Sequence, residues 1–189
     1  MLHRNVTLAV AALISAVSVA HAQAPASEQG PKVGEMAPDF TLGGATKDGV
    51  LQSPITLSKL RGQTVVIAFF PKARTSGCTA QMTGYRDQWA TLFNGGKGVT
   101  VIGISTDADT TQANWAKESN FPMMFASDFK GDVGKAYGAY LEKPNVDNRL
   151  LFVVGPDGKI AYTAKPFKAM VADAYPELGA AVKKASGAK

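Results

Sequence analysis

Thr64-Val65-Val66-Ile67-Ala68-Phe69-Phe70-Pro71-Lys72-Ala73-Arg74-Thr75-Ser76-Gly77-Cys78 is the stretch from which the fold is read. Its first half is a continuous apolar, β-rich run, the pattern of a strand buried on both faces. Pro71 ends that run, because it has no N–H to give to a ladder. A turn of small and polar residues then delivers Cys78, the only cysteine of the chain, to a segment with helical spacing. Over 78–93 the residues Met82, Tyr85, Trp89 and Leu92–Phe93 recur at three- and four-residue intervals, which predicts one helix. A thiol at a helix start is a chemical signal. The thiolate is the nucleophile, and the positive end of the helix dipole favours the charged form.

Downstream, Asn94-Gly95-Gly96 closes the helix and Val99 to Ser105 reads as a second buried strand. A helix is expected over 110–119, an extended segment over 122–126 and a short helix over 131–137. Leu150 to Val154 is a strand, Gly155-Pro156-Asp157-Gly158 a turn, and 159–163 its returning arm. A last helix covers 176–185, with Pro176 suited to its first position. Upstream, 37–42 and 55–57 are extended, and Ser58 caps a short turn reaching Leu60. Between them 43–53 is a loop or hairpin with Gly43-Gly44 and Asp48-Gly49 as turn signals. Strands alternating with helices, then a hairpin and a terminal helix, predict an α/β fold with a central mixed sheet flanked by helices.

The N-terminal end sets the context. Residues 1–22 have a short polar start with His3 and Arg4, an apolar run from Val6 to Ala20, and the closing Ala20-His21-Ala22. This is the layout of a secretory signal peptide cleaved near Ala22, so the mature chain is expected to be exported, periplasmic or secreted. Residues 23–32, rich in Ala, Pro, Ser and Gln, are expected to be a flexible leader, and 33–189 a single domain. Both histidines of the chain, His3 and His21, fall inside the signal. Without them the mature protein has no Ser-His-Asp or Cys-His catalysis, and one thiol cannot hold a zinc or iron–sulfur centre. The net charge of +5 is spread along the chain without a basic run, so neither a nucleic-acid nor a membrane partner is indicated. A lone thiol in a secreted chain is either reactive or an intermolecular partner.

Pro71, Thr75 and Cys78 spell Pro-x-x-x-Thr-x-x-Cys, which resembles the active-site motif of the peroxiredoxins, thiol peroxidases that reduce hydroperoxides. Val33 to Leu42 is similar to that family's opening segment. Thr75 to Thr79 and Tyr85-Arg86-Asp87 resemble its bacterioferritin-comigratory or Q-type branch. Val101 to Asp107, Phe121-Pro122, Ser127-Asp128 and Lys135 to Gly138 match the same branch in order. Arg149 to Val154, followed by Asp157 to Ile160, resembles its arginine-bearing strand and hairpin. The resemblance implies a thioredoxin-like fold, a hydroperoxide substrate and no metal, haem or flavin.

Within this resemblance Cys78 is the nucleophile that attacks the terminal peroxide oxygen, against the alternative of a buried, inert cysteine. Thr75 aims a hydroxyl at the sulfur and the peroxide, or caps the helix, or both. Pro71 shapes and shields the pocket, or simply ends the strand. The resemblance makes Arg149 the cation facing thiolate and departing oxygen, with Gln81 orienting it. Three positions depart from the branch. Thr83 stands where a resolving cysteine is frequent, Ser76 where proline is usual, and Leu151 where threonine is common. The expected activity is therefore a one-cysteine peroxidase, recycled by an external thiol (a thioredoxin-like protein or a small thiol) and monomeric or weakly dimeric. Two other readings of the same fold stand beside it. A thiol–disulfide oxidoreductase is disfavoured because Thr75 occupies the place of the first thiol of Cys-x-x-Cys, and a non-catalytic binding module requires an unreactive Cys78.

Overall fold

The structure, a computed structural model, describes residues 30–187; the expected signal and residues 23–29 of the expected leader lie outside them. The first half contains β1 (Thr41–Thr46), β2 (Gly49–Val50), β3 (Ile55–Thr56), β4 (Thr64–Phe69), α1 (Ser76–Asp87), α2 (Trp89–Phe93) and β5 (Val99–Ser105). The second half adds α3 (Asp109–Glu118), β6 (Met124–Ser127), α4 (Asp132–Tyr137), β7 (Tyr140–Leu141), β8 (Val146–Asp147), β9 (Leu151–Val154), β10 (Ile160–Ala164) and α5 (Ala174–Ala185). One sheet runs in the order β10-β9-β4-β5-β6-β1-β2, with β3 paired to β1, and β7 and β8 pair only with each other. Strands β4, β5 and β6 are parallel, while β9 joins β4 antiparallel and β1 joins β6 antiparallel. The sheet is mixed, as expected. Among the described residues no helix is long and apolar enough to cross a membrane.

Every residue of β4 is buried, because both faces of the sheet are covered. Val66, Ala68 and Phe70 pack on one side with Met82, Tyr85, Phe93, Trp115, Leu178 and Val182 of the surrounding helices. Val65, Ile67 and Phe69 pack on the other with Phe40, Leu57 and Tyr137. The period-two alternation of strand side chains thus feeds two apolar cores from one uninterrupted hydrophobic run. The same split appears in β9, where Leu151 and Val153 face the first core and Phe152 and Val154 the second.

Three expectations need correction, and one hairpin comes in addition to them. The helix over 78–93 begins earlier, at Ser76, and is broken at Gln88 (φ −109°, ψ 21°) before α2 starts. The apolar spacing hid the break because Tyr85, Trp89 and Phe93 stay on one side across it, joined by a Trp89–Phe93 ring contact of 5.2 Å. Gly43-Gly44 do not turn. They lie inside β1, where a Cβ at Gly44 would stand 2.6 Å from Ile55 Cδ1, so the glycine serves close strand packing. Pro176 is the third residue of α5 rather than the first. The β7–β8 hairpin was not foreseen, since two-residue strands carry no periodicity to read.

The unforeseen hairpin holds a buried acid. Asp147 is 0% exposed, and neither carboxylate oxygen has a hydrogen-bond partner among the described residues. Burial, with the charge of Asp128 added, pushes its carboxyl up to about 8. The folded chain therefore keeps a proton that the unfolded chain releases near the ordinary value of 3.8. Stability should fall as pH rises from about 4 to about 8 and level off above that. Asp147→Asn, which cannot ionise, should remove this dependence and exceed the parent's stability at pH 8 by about 2 kcal/mol. Urea unfolding at pH 4 and pH 8 checks it, and an unchanged pH slope in the variant would refute the assignment.

Candidate active site

The site lies at the carboxyl end of β4, the side on which parallel sheets of this kind place their ligands. Between β4 and α1 the chain runs through Pro71 to Thr75, and a side chain from the neighbouring strand pins it. Asp107, just past the end of β5, accepts the Ala73 N–H (2.7 Å) and the Ser105 hydroxyl (2.9 Å). Arg74 adopts a left-handed conformation (φ 64°) and reaches α3, donating to Glu118 (2.7 Å) and to the Thr111 carbonyl. The loop that presents the helix is thus tied to the far side of the parallel crossover.

Thr75 stands at the N-cap position with extended backbone (φ −73°, ψ 150°), and its carbonyl accepts the Thr79 N–H at 2.8 Å. Its hydroxyl gives no capping bond to the helix. It donates instead to the Lys72 carbonyl at 2.9 Å. The first N–H groups of α1 therefore have no capping side chain. Cys78, the third residue of α1, is 1% exposed.

Arg149 arrives from two residues before β9. Its Nη2 lies 3.4 Å from Cys78 Sγ, and its Nη1 donates to Gln81 Oε1. Gln81 is itself fully buried and donates through Nε2 to the Tyr85 hydroxyl at 2.9 Å. Among the described residues the ion pairs are Arg74–Glu118 and Arg86–Asp87, so no carboxylate neutralises Arg149. A permanent cation with no acidic partner therefore stands beside the sulfur. The backbone of Arg149 is held from the other side, its carbonyl accepting the Phe167 N–H at 2.8 Å.

Of the residues singled out in the sequence, Cys78, Arg149 and Gln81 meet directly. Thr75 is exposed on the approach to the helix, and Pro71 is half-buried at the end of the strand. An open groove beside them is lined by Gly77, Asn148, Arg149, Phe167 and Met170. A wider cleft between β1 and α4, lined by Asp39, Thr41, Asp128 and Phe129, shares no residue with the thiol site. Among the described residues no cluster of three or more potential metal ligands occurs. Three participants escaped the sequence reading. Asp107 carried a usable signal, an acid just beyond a buried parallel strand. Tyr85 read as one more apolar rung of its helix, and Gly77 as turn filler.

Gly77 matters through its missing side chain, since a Cβ there would stand 3.3 Å from Arg149 Nη2. Gly77→Ala should displace the guanidinium slightly from its place beside the sulfur while favouring the helix, where alanine is better than glycine by roughly 1 kcal/mol. The expected outcome is equal or higher thermal stability with about tenfold slower alkylation of Cys78 at neutral pH. Parallel melting and iodoacetamide kinetics decide it, and an unchanged alkylation rate would show that Arg149 accommodates the methyl group.

Comparison with known proteins gives the family and the fold. The AhpC/TSA family model matches residues 33–163. Peroxiredoxin Bcp of Escherichia coli is 34% identical over 143 residues, 72% of this chain and 87% of that protein. The crystal structure of peroxidoxin BcpB from Mycobacterium tuberculosis superposes with a TM-score of 0.69 at 26% identity, covering 82% of this chain and 97% of the other. Peroxiredoxin Q of Xanthomonas campestris shares the fold, with a TM-score of 0.66 at 22% identity over 77% of this chain and 91% of its own. By the extent of the family match and the identity to Bcp, the chain belongs to the AhpC/TSA family, as a one-cysteine peroxiredoxin of the bacterioferritin-comigratory branch.

Proposed function

We propose that this peroxiredoxin, a thiol-dependent hydroperoxide reductase, works on hydrogen peroxide and organic hydroperoxides through a Cys78 sulfenic acid that an external thiol reduces. The observation carrying the reading is the 3.4 Å approach of Arg149 Nη2 to Cys78 Sγ in the first turn of α1. The Cys78 thiolate attacks the terminal oxygen of ROOH. An S–O bond forms, the O–O bond breaks, and the departing alkoxide takes a proton to leave as alcohol or water. Negative charge moves from sulfur to the departing oxygen during this step. The Arg149 guanidinium and the uncapped N–H groups of α1 stand where that charge develops. Thr75 has committed its proton to Lys72, so its oxygen is left to accept the O–H of the arriving peroxide. Pro71, lacking an N–H, adds a wall to this side without a competing donor.

Recycling follows from the cysteine count. The sulfenic acid and a reductant thiol condense to a mixed disulfide and water, and a second thiol releases Cys78. The chain acts as a monomer or weak dimer, with the oxidised thiol recycled by an outside thiol and not by a second copy. The protein is exported. The support for this is the apolar run and Ala20-His21-Ala22 of the first 22 residues, and N-terminal sequencing of periplasmic material starting near Gln23 tests it.

Stopped-flow mixing of reduced protein with peroxide, followed by intrinsic tryptophan fluorescence, tests the chemistry. Cys78→Ser should show no reaction and an unchanged fold. Arg149→Ala should slow oxidation about a hundredfold or more, and Arg149→Lys should not restore it, because the forked contact to both sulfur and amide is lost. Thr75→Ser should retain most of the rate where Thr75→Val does not. Reaction in Cys78→Ser at the parent rate would overturn the assignment. With equimolar peroxide and no reductant, intact mass should show monomer that dimedone labels at Cys78. A quantitative shift to a covalent dimer would mean that recycling runs between two copies.

A further inference from the structure

We infer that the Tyr85 hydroxyl is a positioning group for Arg149, acting through the Gln81 amide. The inference rests on the peroxidase reading of the thiol site and adds a residue that the reaction does not touch. Gln81 is 0% exposed, and both ends of its amide are engaged, the oxygen by Arg149 Nη1 and the nitrogen by Tyr85. The two ends are chemically opposite. If the amide turned over, an NH₂ group would face the guanidinium, and donor would meet donor in a buried site. The working orientation is favourable only while the NH₂ has an acceptor of its own, and the Tyr85 oxygen, 2.9 Å away, supplies it.

Tyr85 is suited to this task by its packing. Its ring is fully buried and meets Phe93 edge-on at 5.4 Å, Phe167 at 5.9 Å and Tyr175 at 6.1 Å. Three rings from α2, the segment after β10 and the start of α5 therefore fix the place of one oxygen. Burial holds the phenol protonated, well above its ordinary range, so it meets Gln81 as a neutral hydroxyl throughout the physiological pH span. The line of contacts then runs Tyr85, Gln81, Arg149, Cys78, and only the last two meet the reacting atoms.

A double-mutant cycle on the full chain tests the coupling. Tyr85→Phe keeps the ring and deletes the acceptor, so the melting temperature should stay within a few degrees of the parent while Cys78 oxidation by hydrogen peroxide slows about tenfold. Gln81→Met removes the amide at nearly constant volume and should also slow oxidation. In that background, adding Tyr85→Phe should change the rate by less than about twofold, because no amide remains to be held. The pH–rate profiles of Tyr85→Phe and Gln81→Met should be displaced from the parent's in the same direction, which a merely structural hydroxyl would leave in place. A parent-like rate in Tyr85→Phe overturns the inference, as does an equal slowing in both backgrounds. Failure of the unmodified protein to react with peroxide would instead overturn the reading of the site on which the inference rests.

Discussion

The antiparallel pairing of β9 with β4 is the constraint on which the site depends. Ala68 faces Leu151 in the ladder, and the Phe69 N–H donates to the Leu150 carbonyl at 2.8 Å. Because the two strands run in opposite directions, the end of β4 lies beside the beginning of β9. The residue that leads into α1 and the residue that leads out of Arg149 are thereby fixed within one hydrogen-bonded span. A one-residue slip of β9 would also turn Leu151 and Val153 to the wrong core, so the packing of the sheet guards the distance between sulfur and guanidinium.

Around this fixed pair the polar groups are arranged to keep the thiol side positive. Asp107 accepts through Oδ2 from the loop backbone and from Ser105, Glu118 is taken by Arg74, and Asp87 by Arg86. Asp107 and Glu118 serve the loop before α1, Asp87 serves the far end of the same helix, and none of the three pairs with Arg149. The same economy explains why a glutamine rather than a carboxylate orients the arginine. A neutral amide fixes the guanidinium without cancelling its charge.

Much of this was legible in the chain. The uninterrupted run from Thr64, the break at Pro71 and the lone cysteine after a small-residue turn located the strand, the loop and the thiol at the helix start, because burial on both faces leaves a strand no polar positions. Arg149 was visible only through family resemblance, since an arginine beside a strand has no distinguishing local pattern. What stayed hidden depends on tertiary contacts. The break at Gln88 keeps the apolar stripe intact, the β7–β8 hairpin is too short to show a period, and Asp147 looks like any surface aspartate until the fold encloses it. Tyr85 was recognised as a core ring, but its hydroxyl acquires meaning only when Gln81 is seen to lie between it and a residue from another strand.

The last helix also belongs to the site. The Tyr175 ring fills the notch above Gly84, where a Cβ would stand 2.7 Å from it, and its hydroxyl donates to the Ala169 carbonyl at 2.8 Å. That bond holds the segment whose Phe167 and Met170 line the groove beside Arg149. Cys78 and its arginine are 71 positions apart, and the clasp that steadies their rim comes later still. A ribosome makes the thiol well before it makes the groups that set its chemistry. In a chain made from N- to C-terminus, the clasp on the rim of the thiol site is therefore among the last parts to be synthesised.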